Sequence, residues 1–233
     1  MTLSAPHRDA AGARTCALPR DAAPNVADPA GLRRLRDRPR RPGEASFFFY
    51  DARLHRNAVK VLPGEHFVHD EDVAVCTTLG SCIAACLWDR QRHVGGMNHF
   101  MLPDGVGDGA DPGRYGTHAM ELLVNALLRA GASRAMLEAK VFGGAAVVSG
   151  MQSLNVGEQN TEFVLDYLRT ERIPVVSHDV LGVHPRRLVW LPASGTAMVK
   201  RLALARADAV AALEHAASLR ASPHVAGGTV ELF

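Results

Sequence analysis

Apolar and polar residues along this chain fall into short runs, and one cluster of runs frames the rest. Residues 73–78 are apolar and lead into Leu79-Gly80-Ser81-Cys82. Residues 83–88 are apolar again, Asp89-Arg90-Gln91-Arg92-His93 is polar and charged, and residues 94–102 form a third apolar run. Short apolar runs separated by polar residues read as strands, and two joined by so few residues read as an antiparallel hairpin. Further on, residues 117–130 carry Met120, Leu123, Val124, Leu127 and Leu128 at helical spacing and stop at Gly131. Residues 136–142 read as a strand running into Gly143-Gly144-Ala145, where adjacent glycines mark a bend or a close backbone approach. The pattern places Asn160 as the cap of a second helix with Phe163, Val164, Tyr167 and Leu168 on one face. Residues 173–178 read as a strand, 188–191 and 196–202 as a hairpin across Pro192-Ala193-Ser194-Gly195, 203–219 as an alanine-rich helix, and 229–233 as a last strand. Hairpins interrupted by separate helices predict an α+β layered fold rather than a doubly wound parallel sheet.

Composition divides the chain in two. Residues 1–45 are crowded with Ala, Pro and Arg and hold nine Arg against five acidic residues, whereas the whole chain is only +2. The remainder, 46–233, therefore carries a net charge of −2, and its surface is not that of a nucleic-acid binder. Low hydrophobicity with many prolines predicts a disordered tail over 1–45, and Arg33-Arg34-Leu35-Arg36 is read as part of a solvated segment. Residues 46–233 are expected to form one domain, opened by the aromatic anchors Phe47, Phe48, Phe49 and Tyr50. There is no apolar run of membrane-spanning length and no secretory h-region, so the expected location is the cytoplasm. Cys16, Cys76, Cys82 and Cys86 form neither the CxxC pairs of a structural zinc site nor a disulfide framework. The Gly/Asp segment 104–114 lacks EF-hand spacing and reads as an ordinary loop near the end of the third run. No metal or cofactor is expected, and no dinucleotide-binding, Walker or HExxH motif is present.

The hairpin carries the candidate chemistry. With the turn centred between Arg90 and Gln91, paired residue numbers sum to 181, which sets Cys82 directly opposite His99 on one face. A thiolate is the nucleophile of cysteine chemistry, and a neighbouring imidazole favours it. Such a pair suits acyl transfer, with Cys82 attacking a carbonyl carbon and His99 moving the protons. Gly80 and Ser81 form a flexible corner whose backbone N–H groups are candidates for oxyanion support.

LGSCIAAC (79–86) followed by NHFMLP (98–103) resembles the signature of the chemoreceptor glutamine deamidases, the CheD family. LPGEHFVHD (62–70), KVFGGA (140–145), NVGEQN (155–160), HPRRLVW (184–190) and the closing GGTVELF (227–233) follow in the family's order. The resemblance implies a nucleophilic Cys82, a general acid/base His99 and a third residue, a threonine shortly before the cysteine. Some relatives write that threonine six residues ahead, where this chain has Cys76. The orienting role therefore falls on Thr77, with Thr78 and Cys76 as alternatives. It also implies a layered sandwich of mixed β-sheets and helices similar to the catalytic domain of cytotoxic necrotising factors. The substrate would be glutamine side chains on chemoreceptor cytoplasmic helices, hydrolysed to glutamate with release of ammonia, and a chemotaxis phosphatase is a further partner. Two other readings are a non-catalytic adaptor that keeps the fold, and another acyl-transfer enzyme such as a thiol protease or transglutaminase. The intact Cys/His pair counts against the first, and the local contexts of Cys82 and His99 count against the second.

Overall fold

A computed structural model describes residues 28–102, 112–147 and 151–221. In chain order the elements are α1 (Pro29–Asp37), β1 (Phe47–Asp51), β2 (Arg56–Lys60), β3 (His66–His69), β4 (Ala74–Leu79), β5 (Ile83–Asp89), β6 (Val94–Asn98), α2 (Pro112–Arg129), β7 (Leu137–Gly143), α3 (Met151–Thr170), β8 (Val175–Val180), β9 (Arg186–Leu191), β10 (Thr196–Arg201) and α4 (Ala207–Ala221). The strands build two five-stranded sheets, ordered β1-β2-β4-β9-β10 and β3-β6-β5-β7-β8. Both are mixed, since β2 and β4 run parallel in the first and β7 and β8 in the second. The fold class is α+β.

The layers follow from side-chain alternation. On β5, Ile83, Ala85 and Leu87 pack with Met120, Leu123, Leu127, Val164 and Leu168 of α2 and α3. Ala84 and Cys86 point the other way, together with Cys82, into a core shared with Val59, Val75, Leu79, Leu188 and Trp190 of the first sheet. A strand covered on both faces can be apolar throughout, which is why β5 shows no polar alternation. On β4, Val75 and Leu79 face that inter-sheet core, whereas Ala74 and Cys76 face the outer side of the first sheet. Thr77 shares the inward parity.

The β5–β6 hairpin forms, but its register corrects the expected one. Cys86 pairs with Met97, Leu87 with Gly96 and Asp89 with Val94, so paired numbers sum to 183. Asp89 is the cause: its Oδ1 accepts from the N–H of Gln91 (2.9 Å) and Arg92 (3.1 Å), and its Oδ2 accepts from Ser133 (2.8 Å). This cap moves the turn one residue later, and His93 closes it with a φ of 53°. Cys82 is therefore diagonal to His99 rather than directly opposite. The sum remains odd, so both keep the same face.

Other expectations need correction. Asn160 does not cap a helix, because α3 begins at Met151 and Asn160 lies within it. Residues 28–45, placed by composition in the tail, are structured. Asp28 caps α1 by accepting from Gly31 N–H at 2.8 Å, Pro29 occupies the first turn, and Leu35 is buried against the inter-sheet core with Phe48. Arg36 donates to Phe48 O at 3.0 Å. An amphipathic turn with a cap and a place to bury its leucine overrides the polar composition around it. Residues 1–27, residues 103–111 and the expected strand 229–233 lie outside the described residues, and Pro112, Gly113 and Arg114, expected at the end of the 104–114 loop, instead open α2. Among the aromatic anchors Phe48 is buried, while Phe47 is 57% exposed.

Replacing Leu35 with alanine should lower the unfolding free energy by at least about 2 kcal/mol in urea titration, as for a leucine truncated in a core. A position in a solvated tail would change it by less than about 0.5 kcal/mol.

Candidate active site

The corner Gly80-Ser81-Cys82 joins β4 to β5, and all three of its carbonyls are tied down on one side. Gly80 O accepts from Ala145 N–H at 2.7 Å and Cys82 O from Gly144 N–H at 2.9 Å. Ser81 O accepts from Asn160 Nδ2 at 2.9 Å, and Asn160 Oδ1 in turn accepts from Leu102 N–H at 2.8 Å. Gly143 allows this approach: its φ is +116°, and a Cβ there would stand 2.0 Å from Cys82 O. The adjacent glycines expected to mark a bend or close approach thus mark a close approach.

With the carbonyls held, the three N–H groups of the corner converge on one point, which is occupied by a carboxylate. Glu214 of α4 places Oε1 2.6 Å from Gly80 N and 3.3 Å from Cys82 N, and Oε2 2.9 Å from Ser81 N and 3.0 Å from Ser81 Oγ. Gly80 and Ser81 therefore stand where the sequence placed candidates for oxyanion support. Glu214 and Asn160 were not identified from the sequence as members of the site. A signal for Glu214 existed: among the described residues of α4, Ala207, Val210 and Glu214 are buried at helical spacing with Ala211 packed beside them, so one acid shares a face with apolar residues.

His99 follows β6. Asn98 Oδ1 takes the Ala85 N–H at 3.0 Å, and the His99 backbone pairs instead with Glu65 O and Gly64 N. The imidazole is 2% exposed. Its Nδ1 lies 2.8 Å from Thr77 Oγ1, and the same hydroxyl donates to Val61 O at 2.8 Å. A hydroxyl has one proton. Since that proton goes to Val61, the contact with His99 must be Nδ1–H donating to Thr77, and the neutral ring carries its lone pair on Nε2. Nε2 has no hydrogen-bond partner. Cys82 Sγ, a His99 ring nitrogen and a Glu214 oxygen lie within 4.8 Å of one another. Of the three candidates for orienting the imidazole, Thr77 touches it, Cys76 faces the outer side of the first sheet, and Thr78 has the same outward parity.

Electrostatics favours the neutral forms of the His99 ring and the Cys82 thiol. Burial lowers the His99 pKa to about 4. Burial first, and then the charge and hydrogen bond of Glu214, push the Cys82 thiol well above its ordinary value. The imidazole alone was expected to lower it; here the adjacent carboxylate and the desolvation dominate. Cys76 is raised to about 11 and Cys86 is raised as well, both chiefly by burial. Cys76, Cys82 and Cys86 are free and buried, and Cys16 lies outside the described residues. The Cys82–His99–Glu214 group has the donor types of a metal site, but both carboxylate oxygens already face N–H groups, whose positive ends would oppose a cation. The cradle fits an anion.

Because His99 titrates lower when folded than its ordinary 6.5, its neutral form contributes stability that is complete above about pH 6.5 and lost as pH falls through about 4. The melting temperature of the protein should fall over that window, and His99→Gln should fall less; equal slopes would contradict the buried neutral ring.

The family model described as CheD chemotactic sensory transduction matches residues 101–201. A protein of Albidiferax ferrireducens named "Probable chemoreceptor glutamine deamidase CheD 1" is 56% identical over 196 residues, covering 83% of each chain. The protein named "Probable chemoreceptor glutamine deamidase CheD" from Xanthomonas campestris pv. campestris is 50% identical over 79% of this chain and 93% of its own. Its namesake from Janthinobacterium sp. is 47% identical over 81% and 95%. Among solved structures, the Bacillus licheniformis hypothetical protein YfiH overlays with a TM-score of 0.30 at 12% identity, covering 51% of this chain and 49% of that one, a likeness too low to bear on the fold.

Proposed function

The chain belongs to the CheD family, and from that premise we infer that it does what its relatives are named for: it is a chemoreceptor glutamine deamidase. It hydrolyses glutamine side-chain amides to glutamate and releases ammonia. Cys82 is the nucleophile, His99 the general acid/base and Thr77 the residue that orients it. The observation that carries these roles is the double contact of the Thr77 hydroxyl, which donates to Val61 O and so holds His99 with its proton on Nδ1 and its lone pair on Nε2.

The reaction then balances with these groups alone. Nε2 takes the thiol proton as Sγ bonds to the side-chain carbonyl carbon, and the carbonyl π pair moves onto oxygen. The N–H groups of Gly80, Ser81 and Cys82 stabilise that oxyanion. As the C–N bond breaks, His99 gives its proton to the departing ammonia and a thioester remains. Water attacks the thioester while Nε2 takes its proton. The S–C bond breaks, glutamate leaves, and the thiol is restored. Thr77 stabilises the transient imidazolium as a neutral acceptor, less strongly than a carboxylate would.

The substrate segments are the cytoplasmic helices of chemoreceptors, and a chemotaxis phosphatase is a second partner in this reading. The catalytic unit is one domain over 46–233, to which α1 adds a helix. Its architecture is a layered sandwich of the kind found in the catalytic domain of cytotoxic necrotising factors. Three free thiols suit the reducing cytoplasm. Among the described residues no helix is long and apolar enough to cross a membrane.

Incubated with a purified receptor cytoplasmic fragment, the protein should raise the mass of substrate peptides by about 1 Da per site, the change from amide to acid, and Cys82→Ala should abolish the change while circular dichroism stays native. Conversion by Cys82→Ala equal to the parent would sink the mechanism. Thr77→Val should slow conversion by a few-fold to roughly tenfold, the worth of a net hydrogen bond of about 0.5–1.5 kcal/mol. Thr78→Val, whose side chain faces away from the imidazole, should stay within about twofold.

A further inference from the structure

The group that fills the amide cradle is chemically the product of the reaction. Deamidation of glutamine leaves a glutamate side chain, and the side chain held by Gly80, Ser81 and Cys82 N–H is a glutamate from the chain's own α4. Glu214 is 3% exposed, and among the described residues no ion pair reaches it. The three amides, the Ser81 hydroxyl and the Cys82 thiol are its hydrogen-bond donors among the described residues. Cys82 beside it is fully buried, so a nucleophile meant for a side chain on another protein has no path to it in this state. Among the described residues of α4, Ala207 and Ala211 pack on Ala145 and Val147, and Val210 lies over Gly80. Leu213, on the far side of the helix, is 69% exposed.

We propose that α4 is an internal product mimic: docked, Glu214 occupies the place of the substrate's side chain and holds the enzyme at rest, and α4 must leave before a receptor segment can enter. The proposal rests on the deamidase reading and adds its regulation. A carboxylate in the cradle resists attack, because its carbon is less electrophilic than that of an amide and its charge opposes formation of the thiolate. It is therefore a stable occupant. An amide in the same place is a substrate. Among its described residues the helix attaches through Ala207, Val210, Ala211 and the polar anchor Glu214, which suits a segment that competes with a ligand.

Two full-length variants test this. Glu214→Gln sets an amide in the cradle. Cys82 Sγ should bond to its carbonyl carbon with loss of ammonia, and water should then release the acid. Mass spectrometry of the tryptic peptide spanning 207–220 should therefore show a time-dependent gain of about 1 Da at position 214, absent from the double variant that also carries Cys82→Ala. Glu214→Ala removes the mimic, and kcat/KM on the receptor fragment should rise by about tenfold, the gain expected when most molecules are relieved of a competing internal segment. If position 214 stays unconverted in Glu214→Gln, or if Glu214→Ala is no faster than the parent, while the parent deamidates the receptor fragment, the proposal is overturned and the deamidase reading stands. If the parent leaves the receptor fragment unchanged but position 214 converts in a Cys82-dependent way, the placement of α4 holds and the choice of receptor as substrate fails. If neither is converted, both are overturned.

Discussion

The site depends on a one-sided distribution of hydrogen bonds at a three-residue corner. Peptide carbonyls and N–H groups point in roughly opposite directions, so tying down one set aims the other. At Gly80, Ser81 and Cys82 the carbonyls are bound by Ala145, Asn160 and Gly144, drawn from the end of β7 and the middle of α3. Their N–H groups are left facing a common point, and no rearrangement is needed when negative charge appears there. The cost lies elsewhere: β7 must end in Gly143-Gly144 with positive φ at both, and α3 must bring a buried asparagine to the same spot.

A second constraint couples the two sheets. Thr77 is on β4 of the first sheet, while Cys82 and His99 flank strands of the second. Because the Thr77 proton is committed to Val61 O, the relation of one sheet to the other sets the imidazole tautomer. Loss of tautomer control would leave Nε2 protonated and unable to accept from the thiol. Packing of Val59, Val75, Leu79 and Trp190 against Phe67, Cys86 and Met97 is thus part of the chemistry, since it keeps Oγ1 and Nδ1 at 2.8 Å.

The carboxylate of Glu214 sits at the meeting point of these constraints. Burying an anion without a cation is costly unless hydrogen bonds replace water, and charge-assisted bonds to amides are the stronger kind. The same interaction opposes a thiolate at Cys82, so one group both fills the cradle and quiets the nucleophile. Burial of His99 acts in the same direction, because a ring with a pKa near 4 is neutral at physiological pH and ready to accept a proton only when a donor is in place.

Alternation was legible in the sequence because it is a local steric property of extended chain. It meant that Thr77 and Thr78 could not both face the imidazole, leaving the structure to show that Thr77 is the one that does, and it placed Cys82 and His99 on one face of a hairpin even though the register was off by two in the pair sum. The helical stripe of α2 and the β9–β10 hairpin were legible for the same reason: their periods and turn residues lie within a few positions of one another. Register itself was not, because Asp89 capping the turn and Asn98 replacing a ladder bond are choices among hydrogen-bond partners that nearby residue types leave open. Nor were the roles of Asn160 and Glu214. Asn160 is 79 positions from the carbonyl it holds, and Glu214 is 134 positions from Gly80. Contacts at that separation exist only once both sheets and their helices have packed, so the sequence by itself determined which residue types could do the chemistry, and only the tertiary structure decided what faces them.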